Sequence, residues 1–280
     1  VSRGHQDRGA RVGARTRRRR DPDRAVPLRR PGQYYEDESR DVVYVAAEGE
    51  RTERDYVALL NRTYGRTGKF FLHFSSARNG LRPTEVVSLV VKASSAPEDE
   101  KWALFDRDAA DSRDRDIPEA MREAARQGVQ VALSHPSFEL WLLLHFQQWT
   151  MPQDGRDALV LGKLRAHPDA KGFEEYDTAS GERGKGINAQ REESLLGRER
   201  TAVRNGRRLV GLCPHGGCSG RGLPAGPIPG PGAETYAQWT RRSGHAENCD
   251  PLKRDPSSDM WRLLARLGVG VEEDPANGGG

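Results

Sequence analysis

Residues 101–108, KWALFDRD, are the stretch from which the fold can be read. Trp102 to Phe105 form an apolar run of strand length that ends in two carboxylates, Asp106 and Asp108. Side chains alternate along a strand, so the two acids share a face and Arg107 turns aside. Two like charges at the end of a buried strand repel, and burying them bare is costly. A divalent cation removes that cost, and oxygen-only ligands on a rigid edge suit Mg²⁺ (or Mn²⁺). The competing reading is that the acids cap the following turn or sit in water.

The flanking sequence separates these readings. Upstream, VVYVAA (42–47) is a near-continuous apolar run, as expected of a central parallel strand, and it ends in Glu48-Gly49-Glu50. Thr52 with Asp55 three residues on resembles a capping box, opening a helix through Tyr56, Leu59 and Leu60 that stops near Gly65. Residues 69–75 form a second strand, with Phe70, Leu72 and Phe74 alternating. Pro83 opens a helix carrying Val86, Val87, Val90 and Val91. Downstream of the D-x-D, Asp116 with Glu119 starts a helix over 117–127 that Gly128 ends, and 129–133 is a fourth strand. Strands alternating with helices predict an α/β fold with a parallel sheet. Ligands collect at the C-terminal edge of such sheets. Glu48, Asp106, Asp108 and the run Ser134-His135-Pro136-Ser137 all fall on that edge, which favours the metal reading.

Ser137 is placed to cap a helix, Phe138 to Phe146, that is apolar nearly all round and therefore buried. Glu139 lies in its first turn, where the helix dipole favours an anion; facing the metal edge, it would orient a ligand or water. His145 reads as a hydrogen-bonded core residue.

Of 280 residues, 35% are hydrophobic and 31% charged, enough for one sizeable core. No run of about 18 apolar residues predicts a membrane span, and the arginine-rich start lacks the apolar region of a secretory signal. The net charge of +4 misleads, because residues 1–33 hold eleven arginines against three aspartates. The rest of the chain is mildly acidic, so an enzyme acting on nucleic acid would need local basic patches or a partner. Low complexity and proline make residues 1–33 a solvated tail, with a phosphate-binding arm as the alternative.

The second half begins with a polar, glycine-rich loop at 150–186, where Lys163, Lys171 and Lys185 could meet substrate phosphate but read more simply as solvated. Residues 188–211 have the pattern of one long helix with its arginines on the wet side. Cys213 and Cys218 form C-x4-C; after 26 residues, His245 and Cys249 form H-x3-C. That spacing can supply the four ligands of a structural Zn²⁺, with His215 as a spare; the alternative is three free thiols. Three clustered cysteines fit a reduced, cytoplasmic protein better than a disulfide framework. Asp255-Pro256 opens a last helix with Met260, Leu263, Leu264 and Leu267 on one face. The expected organisation is a tail (1–38), a catalytic core (39–150), a loop and helical extension (151–211), a Cys/His insertion (212–250), a helix packing on the core (251–270) and a second tail (271–280).

Three stretches, VVYVAAEGERTERDYV (42–57), KWALFDRDAAD (101–111) and LSHPSFELWLLLHF (133–146), together resemble the RloB-like family. Its pattern runs E-G-E-K-T-E, then D-x-D, then S-N-P-x-F-E-x-W; here His135 replaces the Asn and Arg51 the Lys. The resemblance implies a Toprim-like Rossmannoid fold in which Glu48 and the D-x-D pair, Asp106 and Asp108, carry Mg²⁺-dependent phosphodiester hydrolysis. It places Glu139 among the catalytic acids and Arg51, Ser134 and His135 against the substrate, DNA or RNA. It also implies anti-phage defence alongside an AAA- or ABC-type ATPase partner encoded nearby. Two other classes stay open. One is a different D-x-D phosphohydrolase, although a phosphoaspartate mechanism would want its nucleophile on the first strand. The other is a non-catalytic nucleic-acid-binding or regulatory subunit.

Overall fold

Strands β1 (Asp41–Ala47), β2 (Phe70–Ser75), β3 (Glu100–Asp106) and β4 (Val129–His135) lie parallel in the order β2-β1-β3-β4. A two-residue strand, β5 (Ser257–Ser258), pairs antiparallel with the end of β4. The computed structural model describes residues 40–77, 80–107, 115–220 and 227–271. The arginine-rich arm, Asp108 and residues 272–280 lie outside that set.

The strand alternation read from the sequence sorts the core into two layers. Val43, Val45, Ala47, Trp102 and Leu104 join one apolar cluster, and Tyr44, Ala46, Ala103 and Phe105 join the other. Helix α1 (Thr52–Tyr64) packs in the first cluster through Tyr56, Val57, Leu59 and Leu60. Helices α2 (Pro83–Ala93) and α3 (Asp116–Arg126) pack in the second. The chain thus leaves β1 for one neighbour, β2, and then crosses to the other, β3. The gap between the ends of β1 and β3 is a topological switch point, where open α/β sheets form their clefts. Glu48 and Asp106 stand at those two strand ends.

All seven residues of α4 (Phe138–Leu144) are buried. Each large apolar side chain so buried contributes roughly 1.5–3 kcal/mol. At its end His145 is also buried: Nδ1 donates to the Trp141 carbonyl at 3.0 Å, so Nε2 accepts from the Tyr56 hydroxyl at 3.1 Å. α5 (Ala158–Ala166), α7 (Glu199–Gly211) and α9 (Met260–Arg266) contribute Val160, Leu209 and Leu263 to the same cluster, which extends to Val269. α8 (Tyr236–Arg242) covers the opposite layer, where the Trp239 indole N–H donates to the Val129 carbonyl. Among the described residues, no helix is long and apolar enough to cross a membrane.

Several local readings change. Residues 188–211 are two helices, α6 (Ala189–Leu195) and α7, separated at Leu196-Gly197-Arg198. Their arginines are not all wet, since Arg191 is fully buried. Asp255-Pro256 does not open α9 but leads into β5, and the Asp255 carboxylate accepts the backbone N–H groups of Gln153 and Asp154. Arg262 of α9 is also buried, donating to the Val131 carbonyl and to Gln130 Oε1, each at 2.9 Å.

Candidate functional site

A cleft of about 520 Å³ opens at the switch point. The backbone N–H of Glu48 continues the ladder to Leu104 O, and its Oε2 accepts the N–H of Asp106 at 3.4 Å. The Glu48 carboxylate therefore reaches the backbone of Asp106, 58 residues on, across the β1–β3 gap. Asp106 Oδ2 accepts the N–H of Phe138 at 3.0 Å. The expected cap, Ser137, makes no capping bond; a β3 carboxylate fills that role, and Ser137 lines the cleft.

Two further acids complete the group. Glu139 is 6% exposed and accepts the Tyr176 hydroxyl at 2.8 Å. Glu53, in the first turn of α1, lies beneath Gly49. A β-carbon at Gly49 would stand 2.5 Å from Glu53 Oε2, so glycine is what lets the strand end close over this carboxylate. Thr52 and Asp55 form no capping box. A directional chain runs instead from the Gly186 N–H to Thr52 Oγ1 at 3.2 Å, from that hydroxyl to Tyr176 at 2.7 Å, and on to Glu139. The Asp55 carboxylate accepts the Ile187 N–H at 3.0 Å.

The electrostatics follow from crowding. Burial, then the charges of Glu53 and Glu139, hold the Asp106 carboxyl well above the usual carboxylate range, opposed by the Phe138 N–H and by Lys185. Burial, reinforced by Glu139, pushes Glu53 up to about 7, although its own N–H, that of Gly49, and Lys185 pull the other way. Burial also works against the charge on Lys185, but Glu139 and Asp177 together outweigh it and keep its pKa above the ordinary value. Protons shared among clustered acids are what a divalent cation displaces.

The four carboxylates are an oxygen donor set suited to Mg²⁺. Among the described residues they are spread too widely to close as a tight group, as suits an ion that keeps several waters and takes only one or two carboxylates. Arg51 lines the cleft beside them. Ser134 and His135 do not, which corrects their expected place against a substrate. Ser134 Oγ lies 3.4 Å from Ser258 Oγ, and His135, 0% exposed, has Nε2 2.9 Å from Arg107 Nη1 and 3.4 Å from Asp255. Strand β5 covers the end of β4 and takes both residues out of the cleft. Glu53 and Tyr176 are the members of this group that pattern reading passed over; Lys185, which could meet a phosphate but read more simply as solvated, lines the cleft. For Glu53 a signal was present: it is the last acid of EGERTE, five residues after Glu48.

A second constellation lies outside the cleft. One ligand atom each from Cys213, Cys218, His245 and Cys249 falls within 4.8 Å of the others, and this cluster could hold a metal ion such as zinc. Cys213 Sγ and Cys249 Sγ are 3.7 Å apart, and His245 Nδ1 is 3.7 Å from Cys249 Sγ. Tetrahedral zinc with Zn–S bonds near 2.3 Å places sulfurs about 3.7 Å apart. His245 Nε2 is 3.2 Å from Asp259 Oδ1, leaving Nδ1 to face the sulfurs; carboxylates fix metal-bound histidines in this way. Arg254 donates to Cys249 Sγ at 3.3 Å, placing a buried cation beside the three sulfurs. The spare His215 stands 3.0 Å from Cys213 Sγ.

No curated protein and no solved structure matches this chain. The family model described as RloB-like protein matches residues 43–267. A match over most of the chain, spanning the acidic cleft, the Cys/His cluster and the last helix, shows that this protein belongs to the RloB-like family.

Proposed function

We propose that this protein is a Mg²⁺-dependent, Toprim-type nuclease that hydrolyses phosphodiester bonds in DNA or RNA. The observation that carries the reading is the reach of the Glu48 carboxylate to the Asp106 backbone at the switch point, backed by Glu53 and Glu139 in a cleft where burial and neighbouring acids raise the carboxyls of Asp106 and Glu53. One or two of Glu48, Asp106 and Glu53 would hold the ion directly and the rest through its waters, and the D-x-D pattern adds Asp108. Magnesium, when bound, supplies charge neutralisation at the phosphate and an activated water. Glu139, held by Tyr176, orients the water, and Arg51 meets the substrate backbone. Glu48 moves a proton or completes the ligand shell.

The finer assignments rest on family membership and composition. They are a role in anti-phage defence, an AAA- or ABC-type ATPase partner and a cytoplasmic setting. Zinc at the Cys/His cluster is the matching proposal for the second site: it would staple the 213–249 segment to β5 through His245 and Asp259. The reading predicts Mg²⁺- or Mn²⁺-dependent nicking of plasmid DNA or cleavage of RNA by the wild type, lost in Asp106→Ala. Equal activity in the two proteins would place the chemistry elsewhere.

A further inference from the structure

Seven carboxylates and two cations, Arg51 and Lys185, line the cleft among the described residues. Metal ions alone can offset the acids, but a phosphate also needs a donor facing its remaining oxygens. Arg51 is on the exposed rim. Lys185 lines the cleft with Nζ 3.5 Å from Asp177, in an ion pair whose members are half-exposed and a third exposed. Such a pair is weak and exchanges readily.

What holds Lys185 there is unusual. Arg191 of α6 is 0% exposed and, among the described residues, faces no carboxylate within hydrogen-bond reach. It donates instead to four backbone carbonyls, those of Gly172 (2.7 Å), Arg183 (2.5 Å), Gly184 (2.6 Å) and Gly186 (2.7 Å). Its guanidinium also lies 5.3 Å from the Phe173 ring centre and 5.0 Å from that of Tyr176. Burying a guanidinium without an ionic partner is costly, and here the arrangement fixes one backbone conformation. Lys185 is bracketed by two of the four carbonyls. On its other side the loop is tied to α1 through Gly186 N–H and Ile187 N–H. Gly186 has φ 107°, and a β-carbon there would stand 2.7 Å from Asp55 Oδ2, so a glycine is needed for the loop to pass.

We infer that Lys185 is the phosphate-contacting cation of this cleft and that Arg191 is the positioning residue that presents it, the ligand class being a phosphate ester anion bound together with divalent cations. The inference rests on the metal-site reading given under Proposed function and adds the residue that receives the anion.

The test titrates the full chain calorimetrically, first with Mn²⁺ and then, in saturating Mn²⁺, with inorganic pyrophosphate. Lys185→Gln should weaken pyrophosphate binding by about ten- to a hundredfold, the range for losing one charge-assisted hydrogen bond. It should leave Mn²⁺ binding unchanged or tighter, since a cation leaves the neighbourhood of the acids; Lys185→Arg should restore part of the loss. Arg191→Gln should lose pyrophosphate affinity without losing Mn²⁺ affinity, and should raise amide hydrogen exchange over residues 181–187. Pyrophosphate binding by Lys185→Gln at wild-type strength overturns the inference and leaves the metal site standing. A wild-type protein that binds no Mn²⁺ overturns both. An Arg191→Gln protein with faster exchange but intact pyrophosphate affinity removes the positioning role.

Discussion

Neutralising Glu53 should make the metal-free protein more stable, because its carboxylate is charged at a cost. Burial and Glu139 raise it from 4.5 to about 7. For an acid raised in the folded state, stability is fully present below the unfolded value of 4.5 and is lost as pH rises through about 7. That interval corresponds to about 3 kcal/mol at pH 8. Glu53 is partly exposed, and Gln keeps weaker versions of its bonds to backbone N–H groups, so the expected gain for Glu53→Gln is about 1–2 kcal/mol. For a chain of this size that raises Tm by about 2–8 °C at pH 8. Below pH 4.5 the advantage disappears, because the wild-type carboxyl is then protonated in both states. Millimolar Mg²⁺ should shrink or reverse it, since the ion stabilises the wild type by mass action and the variant less. Chemical denaturation at pH 4, 6 and 8, with and without Mg²⁺, measures every quantity. A gain of the same size at all three pH values, indifferent to Mg²⁺, would refute the argument that Glu53 is strained by charge and relieved by a cation.

Other outcomes follow from the same geometry. Gly49→Ala should weaken Mn²⁺ binding by roughly tenfold, about 1.4 kcal/mol, because the added carbon displaces the Glu53 carboxylate; titration calorimetry reads this, and unchanged affinity would remove Glu53 from the site. His145 is held by burial at about 4, below its ordinary 6.5, so the unfolded chain binds its proton first as pH falls. The wild type should therefore lose up to about 3 kcal/mol between pH 6.5 and 4 relative to His145→Gln, measured by urea denaturation; parallel pH profiles would sink this. Purified protein should contain close to one zinc per chain by elemental analysis. Cobalt substitution should give thiolate-to-metal charge-transfer bands, and Cys249→Ser should abolish them and lower Tm by about 5 °C or more; a metal-free protein with wild-type Tm would reduce the cluster to free thiols.

The sequence determined the sheet and the edge on which its acids gather. Apolar runs at 42–47, 102–105 and 129–133, separated by helical patterns, leave little choice but parallel strands whose ends share one edge, and this brought Glu48 to Asp106. The same local logic made α4 buried and His145 a core residue. It failed wherever a polar group found a partner far along the chain. Ser137 and Thr52 look like helix caps, yet the Asp106 carboxylate serves α4, and the Thr52 hydroxyl turns to Tyr176 and Gly186. A two-residue strand emits no periodic signal, so nothing local announced that β5 would take Ser134 and His135 out of the cleft. Arg191 and Lys185 lie in a stretch whose composition reads as solvated. Only tertiary packing, by enclosing one of these cations among backbone carbonyls and setting the other against the acids, gave them distinct surroundings. Periodicity reports which side of an element is apolar, whereas the partners of buried polar atoms depend on how loops close, a property carried by the assembled chain alone.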